Sequence, residues 1–278
     1  MIARRLPDGR LHLNDGPIDL ICFAEGSDAA RALEQAATAL EGLLARLVLE
    51  LPLLRRPLGP TPPELQHPVA RRMAAACAPF AADGFITPMA AVAGSVADHV
   101  LAAMRHGTDL HRAYVNNGGD IALHLAPGAS LSIGLVRDLA HGRAEGSVAI
   151  AAAMPVRGVA TSGWPGRSFS RGIAEAVTVL ARSAAAADAA ATVIANAVDA
   201  DDPAVRRAAA STLDPDSDLG DLPVTVAVGE LAAATVAQAL AAGLAVAEAL
   251  RAEGRIAGAL LCCQGRSVAT RELPAVGS

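Results

Sequence analysis

Twice in this chain, two strand-like runs are separated by a turn too short to hold a crossover. Arg10-Leu-His-Leu is followed by Asn14-Asp-Gly16 and then by Ile18-Asp-Leu-Ile-Cys-Phe23. Ala113-Tyr-Val-Asn116 is followed by Asn117-Gly-Gly119 and then by Asp120-Ile-Ala-Leu-His-Leu125. Asp-Gly and Gly-Gly pairs supply the positive-φ positions that tight hairpins require. Strands joined in this way are antiparallel, because a parallel neighbour needs a crossover connection of about a dozen residues or more. With helical periodicity elsewhere, the pattern predicts an α+β fold with a largely antiparallel sheet and packed helices, and argues against a doubly wound parallel sheet. At 278 residues, positions 1–278 are read as one compact domain.

The remaining elements follow from punctuation and period. Ser27-Asp28 marks a helix start, with leucines and alanines at helical spacing towards Leu51. Pro57, Pro60, Pro62 and Pro63 make a connector that cannot be helix interior. Helices are expected over His67–Ala78 and from a Thr87 cap with Pro88 in the first turn to about Arg105. Strands are expected at Leu131–Val136, Ser147–Met154, Val159–Ser162 and Ile173–Leu180, then a helix carrying Asp188 and Thr192 that ends near Val198. The aspartate-rich stretch Asp199–Leu222 reads as a surface excursion with one short helix around Pro203–Ser211. Strand Val224–Val228, the long helix Leu231–Arg251 and strand Ile256–Cys263 complete the expected order.

Composition removes several function classes. Hydrophobic residues make up 53% of the chain and aromatic residues only 2%, so the core must be built from Ala, Val, Leu and Ile. There is no lysine, which excludes Schiff-base chemistry and a phosphate-binding lysine. A formal charge of −5 without a basic run or basic-aromatic stripe argues against a nucleic-acid partner. Cys22, Cys77, Cys262 and Cys263 form no CxxC pair and read as buried, reduced thiols. Arg4, Arg5, Asp8 and Arg10 have no apolar run behind them, so no secretory signal is expected and the chain is read as cytoplasmic. Leu231–Leu250 is apolar but interrupted by Gln238, Gly243 and Glu248, which favours a helix of a soluble protein over a membrane span.

The chemistry-bearing residues cluster in the middle of the chain. Asp188 and Thr192 are four apart, so a helix stacks a carboxylate above a hydroxyl where both could hold a hard cation such as Mg²⁺. The alternative is a first-turn acid favoured by the helix dipole beside a packed threonine. Arg167, Ser168, Ser170 and Arg171 form a polar loop suited to a phosphate or carboxylate, or simply to solvent. Gly118 and Gly119 either let backbone approach a ligand or make a turn, and Asp120 is then a turn acid. Gly94 and Asp98 are one helical turn apart, the glycine suited to close packing and the acid to solvent. The histidines at 99, 106, 111, 124 and 141 have no metal-ligand spacing, and no Gly-x-Ser-x-Gly elbow is present, so no catalytic residue is assigned.

Four segments, in order, resemble the ApbE-like superfamily of flavin transferases. Ala91-Val-Ala-Gly-Ser-Val-Ala-Asp98 resembles its A-K-G-Y-A-V-D helix, and Val115-Asn-Asn-Gly-Gly-Asp-Ile121 its V-N-x-G-G-D-I strand and turn. Val159-Ala-Thr-Ser-Gly163 resembles its T-S-G segment. Val177-Thr-Val and Ala187-Asp-Ala-Ala-Ala-Thr192 resemble its V-T-V and A-D-A-x-x-T segments. The motif-bearing core covers about residues 86–198. Thr87–Gly94 (T-P-M-A-A-V-A-G) and Thr161–Ser170 (T-S-G-W-x-G-R-S-x-S) are similar to an uncharacterised branch of that superfamily.

The resemblance implies an ApbE-like fold, Mg²⁺ held by Asp188 and Thr192, and an FAD or FMN ligand. It places Gly118, Gly119, Asp120, Thr161, Ser162 and Gly163 around the flavin or nucleotide, with an acceptor protein as partner for FMN transfer. The superfamily's H-x-I-D-P-x-T-G signature is replaced by Arg167-Ser-Phe-Ser-Arg-Gly172, and Ala93 stands where its helix has lysine. Those departures motivate a second reading: a non-catalytic ligand-binding or accessory protein on the same fold, linked to sulfur assimilation through Cys262 and Cys263.

Overall fold

The computed structural model describes residues 1–136, 144–271 and 276–277. In chain order it holds strands β1 (Ile2–Arg5), β2 (Leu11–Asp15) and β3 (Ile18–Glu25), then helices α1 (Ala29–Leu40), α2 (Leu43–Leu54), α3 (Pro68–Cys77) and α4 (Val92–Met104). Strands β4 (Arg112–Asn117), β5 (Asp120–Leu125), β6 (Ser130–Val136), β7 (Ala144–Ala151), β8 (Gly158–Ser162) and β9 (Ala176–Ala181) lead to helix α5 (Ala184–Ala197). Strand β10 (Val205–Ala209), the short helix α6 (Ala210–Leu213), strand β11 (Pro223–Val228) and helix α7 (Ala233–Ala252) follow. Strands β12 (Gly258–Cys263), β13 (Arg266–Ala269) and β14 (Val276–Gly277) come last. The fold is α+β with a largely antiparallel sheet, as the hairpin turns require. The chain divides into two compact units: Met1–Leu131 with Ile150–Ala160 and Ala181–Ala189, and Ser132–Ala149 with Thr161–Leu180 and Ala190–Ser278.

In the first unit β1, β2, β3, β4, β5 and β8 pair in that order, every pairing antiparallel. The loop between Asp15 and Ile18 is two residues long, with Gly16 at φ +59°. The loop between Asn117 and Asp120 is equally short, with Gly118 at +64° and Gly119 at +112°. Two positive φ values in a two-residue loop are the mirror-image turn that matches strand twist, so both glycines are needed for the hairpin itself. Helices α1 and α4 cover one face of this sheet, and the core between them includes Leu13, Leu20, Leu40, Met73, Val96, Val100, Met104 and Val115. Tyr114 on β4 stacks against Phe23 on β3, with ring centroids 5.3 Å apart.

The expected helix from Asp28 to Leu51 is two helices. Gly42 adopts a left-handed conformation (φ +67°) between α1 and α2, and that reversal ends the first helix and starts the second. The Thr87 cap is present: its Oγ1 accepts from Met89 N at 3.2 Å, and Pro88–Ala91 form a 3₁₀ turn before α4. His67 caps α3, its Nδ1 accepting from Val69 N.

In the second unit β9, β12 and β13 form an antiparallel ladder, and α7 packs on β12. Val205–Ala209, expected as part of a short helix, is a strand paired with β11 through a bulge at Arg206 and Arg207. Ladder pairing overrides the helix preference of its alanines and arginines, and only Ala210–Leu213 is helical. The expected strand Ile173–Leu180 joins the ladder only from Ala176, because Ile173 N donates to Val198 O and Glu175 N to Cys262 O. Trp164, in the loop after β8, donates its backbone N–H to Ala174 O at 2.9 Å. Among the described residues α7 alone is long and apolar enough to cross a membrane by length and composition. Its buried stripe is Val236, Ala239, Leu240, Gly243, Ala247 and Leu250.

In the first unit α4 and β8 both come to within backbone contact of the start of α5. A Cβ on Gly94 of α4 would lie 2.3 Å from Ala184 O, and one on Gly158 of β8 would lie 2.0 Å from the carbonyl carbon of Ser183. Both neighbours are backbone, which cannot rotate away. Gly94→Ala and Gly158→Ala are each expected to cost about 2–3 kcal/mol through overpacking, read as a lower urea midpoint at unchanged slope. An unchanged midpoint in either variant would mean that α5 can shift at no cost.

Candidate functional site

The start of α5 meets the start of α4 at Gly94, and the two helices exchange carboxylates there. Ser183 caps α5 locally, its Oγ accepting from Ala186 N at 3.2 Å. The first two helical N–H groups of α5, on Ala184 and Ala185, donate instead to Asp98 Oδ1 and Oδ2, at 3.1 and 3.0 Å. In return Gly94 N, in the first turn of α4, donates to Asp188 Oδ2 at 2.9 Å. The N-cap residue of α4, Ala91, has no side chain able to do this. Each helix thus satisfies part of the other's orphaned N-terminal N–H groups, with a carboxylate placed where the helix dipole favours it. Asp98, expected in solvent, is therefore an inter-helix cap, while Gly94 is the close-packing residue it was expected to be.

The β4–β5 hairpin tip is tied to the same place. Asn117, itself buried, donates from Nδ2 to Ala93 O at 3.1 Å, and its Oδ1 accepts from Asp19 N. Asn116 Oδ1 accepts from Gly119 N at 2.8 Å and braces the turn. Asp120 is buried at the first position of β5, and its charge acts on Asp188. Burial and the charge of Asp120 push Asp188 well above the usual carboxylate range, with a smaller push from Asp98. The N–H groups of Gly94 and Ala93 pull the other way. Burial likewise raises Asp98, against the pull of Ala185 N, Ala184 N and Arg72. Asn117 and the effect of Asp120 on Asp188 were not anticipated. The Asn-Asn before Gly-Gly was the available signal, since asparagines brace such turns.

The other predicted residues divide between the units. Gly118 and Gly119 sit at the hairpin tip, and a Cβ on Gly119 would meet nothing within 4 Å. Thr192, half-buried and one turn beyond Asp188 on α5, belongs to the second unit. Among the described residues no three His, Cys, Asp or Glu side chains gather as a metal cluster. In the second unit Thr161 Oγ1 lies 2.9 Å from Thr178 Oγ1, and Ser162 is half-buried. Gly163 is required by packing, since a Cβ there would lie 2.4 Å from Glu175 O. Ser170 is buried, its Oγ donating to Asn196 Oδ1 and accepting from Gly172 N. Arg171 N donates to the same Asn196 Oδ1 at 2.9 Å. Arg167 and Ser168 are exposed.

The histidines and cysteines have structural surroundings. His99 is edge-on to the helix-capping His67 at 5.9 Å, and burial biases both rings towards the neutral form. His124 Nε2 lies 3.1 Å from Leu110 O, His106 and His111 are exposed, and His141 lies outside the described residues. All four cysteines are free and buried. Burial, then Glu175 and Cys262, push Cys263 up to about 12, so this thiol stays protonated at neutral pH.

An α+β chain that sets V-N-x-G-G-D-I on a hairpin and A-D-A-x-x-T on the helix meeting it is an ApbE-like protein. Residues 3–269 match the family described as AbpE bacteria, and the chain belongs to it. It is 41% identical over 146 residues to a UPF0280 protein of Methanopyrus kandleri, covering 50% of this chain and 54% of that one. To UPF0280 proteins of Methanosphaerula palustris and Methanoculleus marisnigri it is 36% identical over 157 and 159 residues. Those matches cover 56 and 57% of this chain and 63 and 59% of theirs. The chain thus spans little more than half the length of the relatives it matches.

Two outcomes follow from the exchanged carboxylates. Asp98→Ala leaves Ala184 and Ala185 without their acceptor and is expected to lower unfolding free energy by about 1–3 kcal/mol. The raised Asp188 carboxyl binds a proton more tightly folded than unfolded. In chelator, stability is therefore greatest at low pH within the folded range and falls as pH rises from the unfolded carboxylate value through the folded one. Asp188→Asn, which keeps an oxygen for Gly94 N, should make that slope shallower in urea titrations from pH 4 to 8. A slope as steep as in the unmodified protein would show that Asp188 is not its source.

Proposed function

We propose that this protein binds a flavin or related nucleotide together with Mg²⁺ at the β4–β5 hairpin tip, using Asp188 as the metal-holding carboxylate. The observation that carries the reading is the half-buried Asp188 carboxyl, fixed by Gly94 N at the start of α4 where Asn117 anchors the hairpin tip, with the charge of buried Asp120 raising its proton affinity. A cation is the simplest partner for these two charges, since it turns mutual repulsion into attraction towards one charge. Carboxylate oxygens are the hard ligands Mg²⁺ takes. With no three acidic or imidazole groups gathered among the described residues, its shell would be completed by water and ligand phosphate oxygens, as is usual for Mg²⁺.

Bound there, Mg²⁺ would supply charge neutralisation at phosphoryl oxygens, the main demand of phosphoryl chemistry. The chain's own residues would do the rest. Asn117 holds the hairpin tip against the start of α4, and Gly94 N fixes Asp188 Oδ2 in orientation. FMN transfer to an acceptor protein is the activity that the family resemblance adds. A non-catalytic ligand-binding or accessory role is the second reading, favoured by the exposed Arg167–Ser168 loop that replaces the superfamily's histidine signature.

Calorimetry with FAD, FMN and ADP, with and without Mg²⁺, tests the reading. Mg²⁺-dependent binding that is weakened about tenfold or more in Asp188→Asn is expected. Failure of all three ligands to bind with Mg²⁺ would overturn it. Binding without FMN release from FAD or transfer to an acceptor would select the non-catalytic role.

A further inference from the structure

We infer that the first unit carries a second ligand site: a cleft for a small, multiply charged oxyanion at the C-terminal end of α4. A cavity of about 330 Å³ opens there, and three arginines from three separate elements line it. Arg105 is the C-cap of α4, Arg157 immediately precedes β8, and Arg182 lies between β9 and α5. Three arginines lining one cavity are conspicuous in a chain of net charge −5.

The three differ in how they are held. Arg157 is fixed by neutral acceptors: NH1 donates to Met154 O and Val156 O at 2.8 and 2.6 Å, and NH2 to Ala152 O at 2.7 Å. Carbonyls position the group without cancelling its charge. Arg105 and Arg182 are exposed, and among the described residues their guanidinium groups make no hydrogen bond or ion pair. Their forks are open for an incoming oxyanion, a geometry suited to bidentate contact with phosphate or carboxylate.

The cavity wall contains one acid, Asp98, and its two oxygens are committed to Ala184 N and Ala185 N. It therefore serves the start of α5 more than it neutralises the arginines. His124 is the remaining titratable lining group. Burial, then Arg105 and Arg157, bias its ring towards the neutral form, against the pull of Leu110 O, so the positive field of the cleft reaches it. The volume is near the lower end for small-molecule pockets, which suits a compact ligand such as a phosphate ester or a tricarboxylate rather than a whole dinucleotide.

The shared chemistry is multivalent oxyanion recognition, and the two sources separate by titration. Calorimetry on the unmodified chain, freed of divalent cations on a chelating resin and held in chelator-free buffer, uses pyrophosphate in one arm and citrate in the other. Saturable binding of at least one is expected, weakened about tenfold in Arg105→Ala and further in the Arg105→Ala/Arg182→Ala pair. Preference for pyrophosphate assigns a phosphorylated ligand, and preference for citrate a carboxylated one. No binding of either anion, or equal binding to the double variant, would overturn the inference. Both substitutions are on exposed side chains, and an unchanged urea midpoint confirms that a loss of binding is not a loss of fold.

Discussion

The approach of α5 to α4 and β8 is the constraint around which the first unit is arranged. At Gly94 and Gly158 the backbones come so near that no side chain fits between them. Such proximity would strand the N-terminal N–H groups of both helices away from water, a cost that grows with burial. Asp98 and Asp188 relieve it by crossing over, each serving the other helix. Packing and polar satisfaction are therefore one device, since neither carboxylate could reach its partner amide if the helices stood further apart. Asn117 extends the device to the hairpin tip, so that three elements distant in sequence meet at the first turn of α4.

In the proposed function this arrangement would present Asp188 to a cation, and it is useful without one. Its position is set by a backbone bond to Gly94, and its unusual proton affinity by burial and Asp120. A structurally fixed carboxylate with raised proton affinity would be the prepared part of the metal site proposed above. The alanine-rich start of α5 belongs to the same logic, because small side chains are what allow α5 to come this close.

Much of the fold could be read from local chemistry. The two hairpins were legible because a two-residue turn with glycine admits few conformations, and the Thr87 cap because hydroxyl, proline and helix order are diagnostic. The break at Gly42 was missed because leucine and alanine spacing continues through it, and only a left-handed φ ends the helix. Val205–Ala209 was misread because its ladder partner lies beyond a long excursion, out of reach of any local pattern. At the site, the residue types were legible but their partners were not. Asp98 looked like a surface acid because the amides it caps are 86 and 87 positions away. The arginine cleft was equally hidden, its members being single residues at three unremarkable points of the chain.

The scarcity of aromatic residues has one further consequence, for how this molecule can be watched. The chain has a single tryptophan and a single tyrosine. Tyr114, stacked on Phe23, belongs to the first unit, and Trp164, anchored to Ala174, belongs to the second. Each unit therefore contains one native chromophore of its own kind, with absorption edges far enough apart to excite the indole alone. Excitation at the long-wavelength edge, where indole alone absorbs, therefore reports the second unit by itself, with no label and no substitution.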